Sequence, residues 1–267
     1  MFKKSYLFLL LLCNIFYAQV KICSWNVENF GKSKSTESIA FIANTLKEFD
    51  VVALQEIVAG YGGAQKVAEL AAELNRKGAK WDYVVSNPTT GSAYKTERYA
   101  FLWKTGKVKL KGKAWLEQTY QLEIDREPFI ATFEQAGKSF TVVSFHAITK
   151  KMQPETEIKY FKFLPQHYPG LNLIFLGDFN CPQTHSVFNP LKTMGYTAVL
   201  KKQKTSLKKK QQQTECLASA FDNIFYPTAK INVANYGVVH FYNKFQTLEA
   251  ARTVSDHIPV WCSIMLK

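Results

Sequence analysis

Oxygen-bearing side chains and imidazoles recur where apolar runs of this chain end. Asn26 and Glu28 follow the run 20–25, and Glu56 follows 51–54. His146 closes 140–146, and Asp178 and Asn180 close 171–176. Asp256 and His257 lead into the last run, 258–265. Carboxylate and amide oxygens without a cysteine cluster suit a hard cation, Mg²⁺ or Ca²⁺, better than zinc. Such a cation neutralises a phosphate and stabilises a departing oxyanion, and a histidine held by a carboxylate activates water. These parts together describe metal-assisted phosphodiester hydrolysis.

Groups so far apart in sequence need a scaffold that gathers strand ends, and the pattern supplies one. Alternation over 20–25 and the continuous run 51–54 predict strands. Further strands are predicted over 81–85, 98–103, 107–110, 129–133, 140–146, 171–176, 220–225 and 258–265. Ile39, Ile42, Ala43, Leu46 and Phe49 form a helical stripe behind the candidate N-caps Ser35 and Thr36. Ala64, Val67, Ala68, Ala71 and Leu74 form a second stripe, closed near Gly78. Pro154 opens a third helix running past Tyr160 and Phe163. No repeat or linker divides the chain. The expectation is one α/β domain, with two sheets packed together and helices outside.

With 13 Gly and 9 Pro in 267 residues, the chain is neither disordered nor collagen-like. Its net charge of +13 favours a polyanionic partner or an anionic membrane surface. Residues 1–18 read as a signal peptide: Lys3 and Lys4, a short apolar run over 6–16, then the small Ala18. Cleavage after Ala18 leaves a domain over 19–267, in a secreted or periplasmic protein. The run is too short for a transmembrane anchor, and Leu10, Leu11 and Leu12 make a poor lipobox before Cys13. Export permits disulfides, and the remaining Cys23, Cys181, Cys216 and Cys262 allow three pairings. The absence of C-x-x-C speaks against a zinc ribbon.

Eight short pieces, in order, resemble the endonuclease/exonuclease/phosphatase superfamily, and within it the secreted deoxyribonuclease I-like branch. They are Ser24-Trp25-Asn26-Val27, Leu54-Gln55-Glu56, Tyr94-Lys95 with Glu97-Arg98-Tyr99, and Arg126-Glu127-Pro128. Ser144-Phe145-His146, Gly177-Asp178-Phe179-Asn180, Phe221-Asp222 and Ser255-Asp256-His257 complete the set. The resemblance spans about 20–264 and implies a four-layered α/β sandwich.

It also implies roles. Glu56 is similar to the principal metal-binding glutamate, Asn26 to the asparagine supporting metal and phosphate, and Asp256 to the aspartate beside the metal. Asp178 and Asn180 resemble the pair positioning phosphate and nucleophile. His257 with Asp222 and His146 with Glu97 resemble two histidine–carboxylate dyads. Which dyad activates water and which protonates the leaving 3′ oxygen stays open. Arg126 resembles an arginine near the phosphate path, and Tyr94 a DNA-contacting tyrosine. The implied protein is a secreted, Mg²⁺-dependent endonuclease (Mn²⁺ or Ca²⁺ being alternatives). It acts on DNA as a monomer without a stable protein partner and leaves 5′-phosphate ends.

A phosphodiesterase or phosphatase for lipid head groups, sphingomyelinase-like, or an RNA substrate is the alternative within the superfamily. A non-catalytic DNA-binding surface protein is the rival outside it, and has no need of two histidines. Two departures stand out. The branch has an arginine entering the minor groove where this chain has Val58, and Thr96 is one extra residue beside Tyr94. The resemblance further implies a Cys181–Cys216 bridge enclosing the lysine-rich segment 201–213. Cys23 and Cys262 are either buried thiols or a second bridge. The lysines themselves are either phosphate contacts or a solvated loop.

Overall fold

The computed structural model describes residues 19–91, 96–212 and 215–267. The segment 1–18 expected to be a signal peptide and Tyr94 therefore lie outside the described residues. The first sheet is built from β1 (Val20–Phe30), β2 (Val51–Val58), β3 (Trp81–Val85), β4 (Glu97–Lys104), β14 (Ile231–Val238) and β15 (Val260–Leu266). Its strand order is β14-β15-β1-β2-β4-β3. The second contains β5 (Lys109–Leu110), β6 (Trp115–Leu116), β7 (Phe129–Gln135), β8 (Lys138–His146), β9 (Leu173–Asp178), β10 (Tyr196–Ala198) and β13 (Asp222–Pro227). Its order is β10-β13-β9-β8-β7-β5, with β6 also on β7. A separate hairpin pairs β11 (Leu207–Gln212) with β12 (Glu215–Leu217).

Strand periodicity explains the layers. Val51 and Ala53 point to the core between the sheets, while Val52 and Leu54 point the other way. A strand apolar on both faces must be covered on both. The inter-sheet core packs Ile22, Phe101 and Val260 of one sheet with Phe133, Phe140 and Ile174 of the other. Outside the first sheet lie α1 (Thr36–Leu46) and α2 (Gly63–Asn75), seated by Ile39, Ile42, Leu46, Val67, Leu70 and Leu74. Ser35 caps α1 by accepting from Ser38 N at 3.2 Å. Outside the second sheet, Ile158, Phe161, Leu164 and Leu191 seat α3 (Glu155–Ile158), α4 (Leu164–His167) and α5 (Asn189–Thr193). The result is the expected four-layered α/β sandwich.

Some elements differ from expectation. The helix opened by Pro154 is broken into α3, a 3-10 stretch and α4. Pro165 lacks the N–H that a continuous helix would use there. The lysine-rich segment is a hairpin rather than a loop. β14 has no apolar alternation to announce it, because half of its residues are exposed and only Ile231 is buried.

All four described cysteines are free thiols, which corrects the Cys181–Cys216 pairing. Cys181 lies in the core beneath α3–α5, whereas Cys216 packs against the core on the far side of the first sheet. Cys23 and Cys262 are fully buried on neighbouring strands, but they face opposite sides of their sheet, so they are buried thiols.

Candidate active site

Strand direction gathers the polar groups. β1 and β2 run parallel, as do β8 and β9, so each pair delivers its C-terminal residues to one edge. His146 and Asp222 sit in register on either side of Asp178, on β8 and β13. Asn26 ends the regular part of β1, and Glu56 sits where the registers of β1–β2 and β2–β4 both slip. Glu56 has φ +60°, and Glu28, Asn29 and Asn180 are also left-handed. Such conformations cost energy in non-glycine residues and cluster where a bulge re-aims a side chain. Gly177 (φ +136°) is required outright, because a Cβ there would stand 1.9 Å from the Phe145 carbonyl oxygen.

Between the sheets, the buried Gln55 amide reaches Ser24 of its own sheet at 3.2 Å and Ser144 of the other at 2.8 Å. One residue further along, the Asn26 amide donates to Glu56 Oε1 at 2.9 Å and to Asp178 Oδ2 at 3.2 Å. Asn26 Oδ1 accepts from Glu28 N at 3.0 Å, and Asn29 N donates to Glu56 Oε2 at 3.0 Å. Asn26 is therefore the link between two carboxylates on different sheets.

Each histidine is held by its own buried carboxylate. His257 Nδ1 is 2.7 Å from Asp222 Oδ2, and His146 Nδ1 is 2.9 Å from Glu97 Oε2. These bonds leave both Nε2 atoms facing a common centre. Asp178 Oδ2 is 3.5 Å from His257 Nε2 and 3.6 Å from His146 Nε2. Glu56 Oε1 lies 3.8 Å from His146 Nε2, and Asp256 Oδ1 3.8 Å from His257 Nε2. Asn180 N donates to Asp178 Oδ1 at 2.9 Å, and its amide donates to the Ala147 carbonyl at 3.0 Å. Every site residue anticipated within the described residues thus comes to one edge.

Electrostatics follows from this packing. Burial alone would lower the pKa of His257, but Asp222 and then Asp178 outweigh it and hold it well above the ordinary value. Burial likewise works against charge on His146, and Glu97 reverses the sign, so its pKa is raised. Asp178 resists its burial because His257 and His146 stabilise its anion, and its pKa is lowered. Asp222 goes the other way: burial raises its pKa, and the nearby Asp178 charge adds to that.

Arg126 differs from its expected place on a phosphate path. Its guanidinium is spent internally, on the carbonyls of His146 (3.0 Å) and Ala147 and on Glu97 (3.3 Å). It braces the His146 dyad while lining a cavity with Glu56, Glu97 and His146.

The profile of the endonuclease/exonuclease/phosphatase family matches residues 23–257. The chain belongs to this family. Human deoxyribonuclease gamma is 29% identical, over 94% of this chain and 88% of its own length. A deoxyribonuclease of Thioalkalivibrio sp. (strain K90mix) is 27% identical, over 96% and 73% respectively. The fold is shared with an endonuclease/exonuclease/phosphatase family protein of Bacteroides thetaiotaomicron. That match has a TM-score of 0.68 at 18% identity, over 93% of this chain and 98% of that one.

The sequence assigns no role to several supports in this family member, although Trp25, Tyr99 and Ser255 lie within its motifs. Tyr99 OH accepts from His146 N at 3.2 Å. Ser255 Oγ donates to Asn26 O at 2.6 Å and accepts from His257 N at 2.9 Å. Thr205 Oγ1 accepts from Asp222 N at 2.9 Å. Trp25 Nε1 donates to His257 O at 2.7 Å. Ser255 lies within a motif, yet only contact shows what it binds.

Proposed function

We propose that this chain is a secreted or periplasmic, divalent-metal-dependent endonuclease that hydrolyses DNA phosphodiesters to 5′-phosphate ends. The observation that carries the reading is the paired geometry around Asp178. Two imidazoles, each tethered through Nδ1 to its own carboxylate, aim Nε2 at one buried carboxylate oxygen. A binding module needs one positive surface, whereas hydrolysis needs a base and an acid on opposite sides of a phosphorus. The deoxyribonuclease relatives support DNA as the substrate.

The donor set fits a hard cation. Glu56 and Asp256 are the more open carboxylates, with about a quarter of each side chain exposed; Asn26 hydrogen-bonds Glu56, and Asp256 stands beside His257. Asp178, Asp222 and His257 bring ligand atoms within 4.8 Å of one another, but His257 Nδ1 is already committed to Asp222. Glu56, with Asn26 and Asp256, is therefore the better holder. The cation (Mg²⁺, or Mn²⁺ or Ca²⁺) supplies neutralisation of the phosphate charge and stabilisation of the departing oxyanion.

The chain's own residues do the rest. Neutral His257 accepts a proton from water at Nε2, and Asp222 stabilises the imidazolium that forms. Asp178 and Asn180 orient the water and the phosphate. Protonated His146, held by Glu97, donates from Nε2 to the leaving 3′ oxygen. The raised His146 pKa suits that acid, and the raised His257 pKa implies a rate that climbs as pH rises through it.

The test is a comparison of substrates. Purified protein with Mg²⁺ is given supercoiled plasmid, single-stranded RNA and sphingomyelin vesicles in parallel. Nicking of plasmid with 5′-phosphate ends, and slow or no release from the vesicles, is expected. Faster head-group release than nicking overturns the reading in favour of a lipid phosphodiesterase. Preference for the RNA moves the substrate and keeps the chemistry.

A further inference from the structure

The lysine-rich segment is anchored to the catalytic loop by its backbone. Leu207 N donates to Asp256 O at 2.6 Å, and Ile258 N donates to Thr205 O at 2.8 Å. Ser206 and His257 form an isolated antiparallel bridge between these segments. Arg252 closes the joint, donating to Leu207 O at 3.0 Å and pairing with Asp256 at 3.3 Å. β11 therefore starts beside the three residues Asp256, His257 and Ile258, which include one catalytic imidazole.

The charges on this segment divide into two sets. Lys204 and Lys208 both pair with Glu215 across the hairpin, the second at 2.8 Å. Their hydrogen bonds pull the Glu215 carboxyl down to about 2, so it stays ionised at every working pH. Lys209 and Lys210 are exposed, as are Lys201 and Lys202, and none of these four has an ion-pair partner among the described residues.

Resting on the endonuclease reading, we infer that this hairpin is a phosphate-backbone clamp for the polynucleotide beside the scissile bond. Lys209 and Lys210 make the contacts, and Glu215 holds Lys204 and Lys208 in reserve. The occupant is a chain of several phosphates rather than a single phosphate ester, because Lys209 and Lys210 stand three and four residues along the chain from the Ser206–His257 bridge, roughly 10–13 Å in a strand. A merely solvated hairpin would have no reason to start at His257. Nor would a solvated hairpin contribute whole phosphate contacts to the salt dependence of binding.

The experiment measures binding, so its outcome is separate from that of the endonuclease reading. A labelled duplex is titrated with the full chain in chelator, from low to physiological salt, for wild type, the double variant Lys209→Gln/Lys210→Gln, and Glu215→Gln. Each phosphate contact on duplex DNA contributes roughly 0.9 to the slope of log K against log salt. The lysine variant is expected to lose about two contacts of slope and about tenfold or more in affinity at low salt. Glu215→Gln is expected to bind more tightly with a steeper slope, as two lysines are released. Circular dichroism on each variant confirms that the fold is intact. Unchanged slopes in both variants, a shift of the same sign in both, or no duplex binding by wild type overturns the clamp. Binding as expected but no cleavage when Mg²⁺ is restored instead overturns the endonuclease reading and leaves the clamp standing.

Discussion

Replacing Asp222 by Asn isolates what the His257 dyad contributes. The side chain keeps its size, but the buried counter-charge 2.7 Å from His257 Nδ1 is lost. Unit charges about 4 Å apart at an effective dielectric near 20 interact by about 4 kcal/mol. Above the folded His257 pKa that charge pair forms only when the ring takes the proton from water, so there the loss falls on the transition state. It corresponds to a fall of about a thousandfold in kcat with KM little changed. Stability should respond with a definite sign. A histidine whose folded pKa is raised contributes stability that is fully present below its unfolded pKa, near 6.5, and is lost as pH rises through the folded value. Asp222→Asn removes most of that contribution, so the variant is destabilised at pH 5. Above the folded His257 value the same substitution removes a buried carboxylate that burial and Asp178 disfavour, so it is neutral or stabilising. Initial rates of plasmid nicking and thermal melts at the two pH values read both effects. A rate within about tenfold of wild type, or equal destabilisation at both pH values, would refute the reasoning.

Two further outcomes follow from the packing. Gly177→Ala forces a Cβ against the Phe145 carbonyl at a left-handed φ, on the strand that carries Asp178. It should cost about 3 kcal/mol or more and lower Tm by roughly 6–12 °C; a melt within two degrees or so of wild type contradicts the close approach. Among the described cysteines only Cys216 is partly exposed, so it alone should react with a thiol reagent in native buffer, and all four in denaturant. Burial pushes the Cys181 thiol up to about 11 and that of Cys262 up to about 12. The folded state then holds protons that the unfolded state releases, and stability should fall as pH rises above about 8.5. Failure of Cys181 and Cys216 to label in denaturant until reduced, or a melt that shifts on reduction, would restore the bridge, and early labelling of Cys181 in native buffer would contradict its burial.

Much of this was legible in the sequence because strands carry a strong periodic signal and their ends carry the chemistry. Glu56, His146, Asp178 and His257 each stand within two residues of an apolar run or at its end, and a parallel pair has no option but to bring such ends together. The helical stripes of α1 and α2 were equally plain. What stayed hidden depends on contacts between distant segments. Nothing near Thr205 shows that its hydroxyl receives the Asp222 amide. Arg126 belongs to a recognisable motif, yet its burial against the carbonyls of His146 and Ala147 turns it inward. The cysteine pairing failed for the same reason: spacing along the chain does not reveal that Cys181 and Cys216 belong to different cores, on the outer sides of the two sheets. Lysine-rich β11 has too few apolar residues to read as a strand, and pairing with β12 makes it one.

The central claim is that residues from both sheets form one metal-assisted hydrolytic centre. The most direct measurement is the rate of supercoiled-plasmid nicking with Mg²⁺, with chelator, and with Mg²⁺ in Glu56→Gln, His146→Ala, His257→Ala and the double histidine variant. The account predicts activity that chelator abolishes, and a loss of about a hundredfold or more for each single variant. It also predicts a double variant hardly slower than the worse single one, because the two imidazoles act in one step. Cleavage that survives chelator, or histidine variants with near-normal rates, would contradict it.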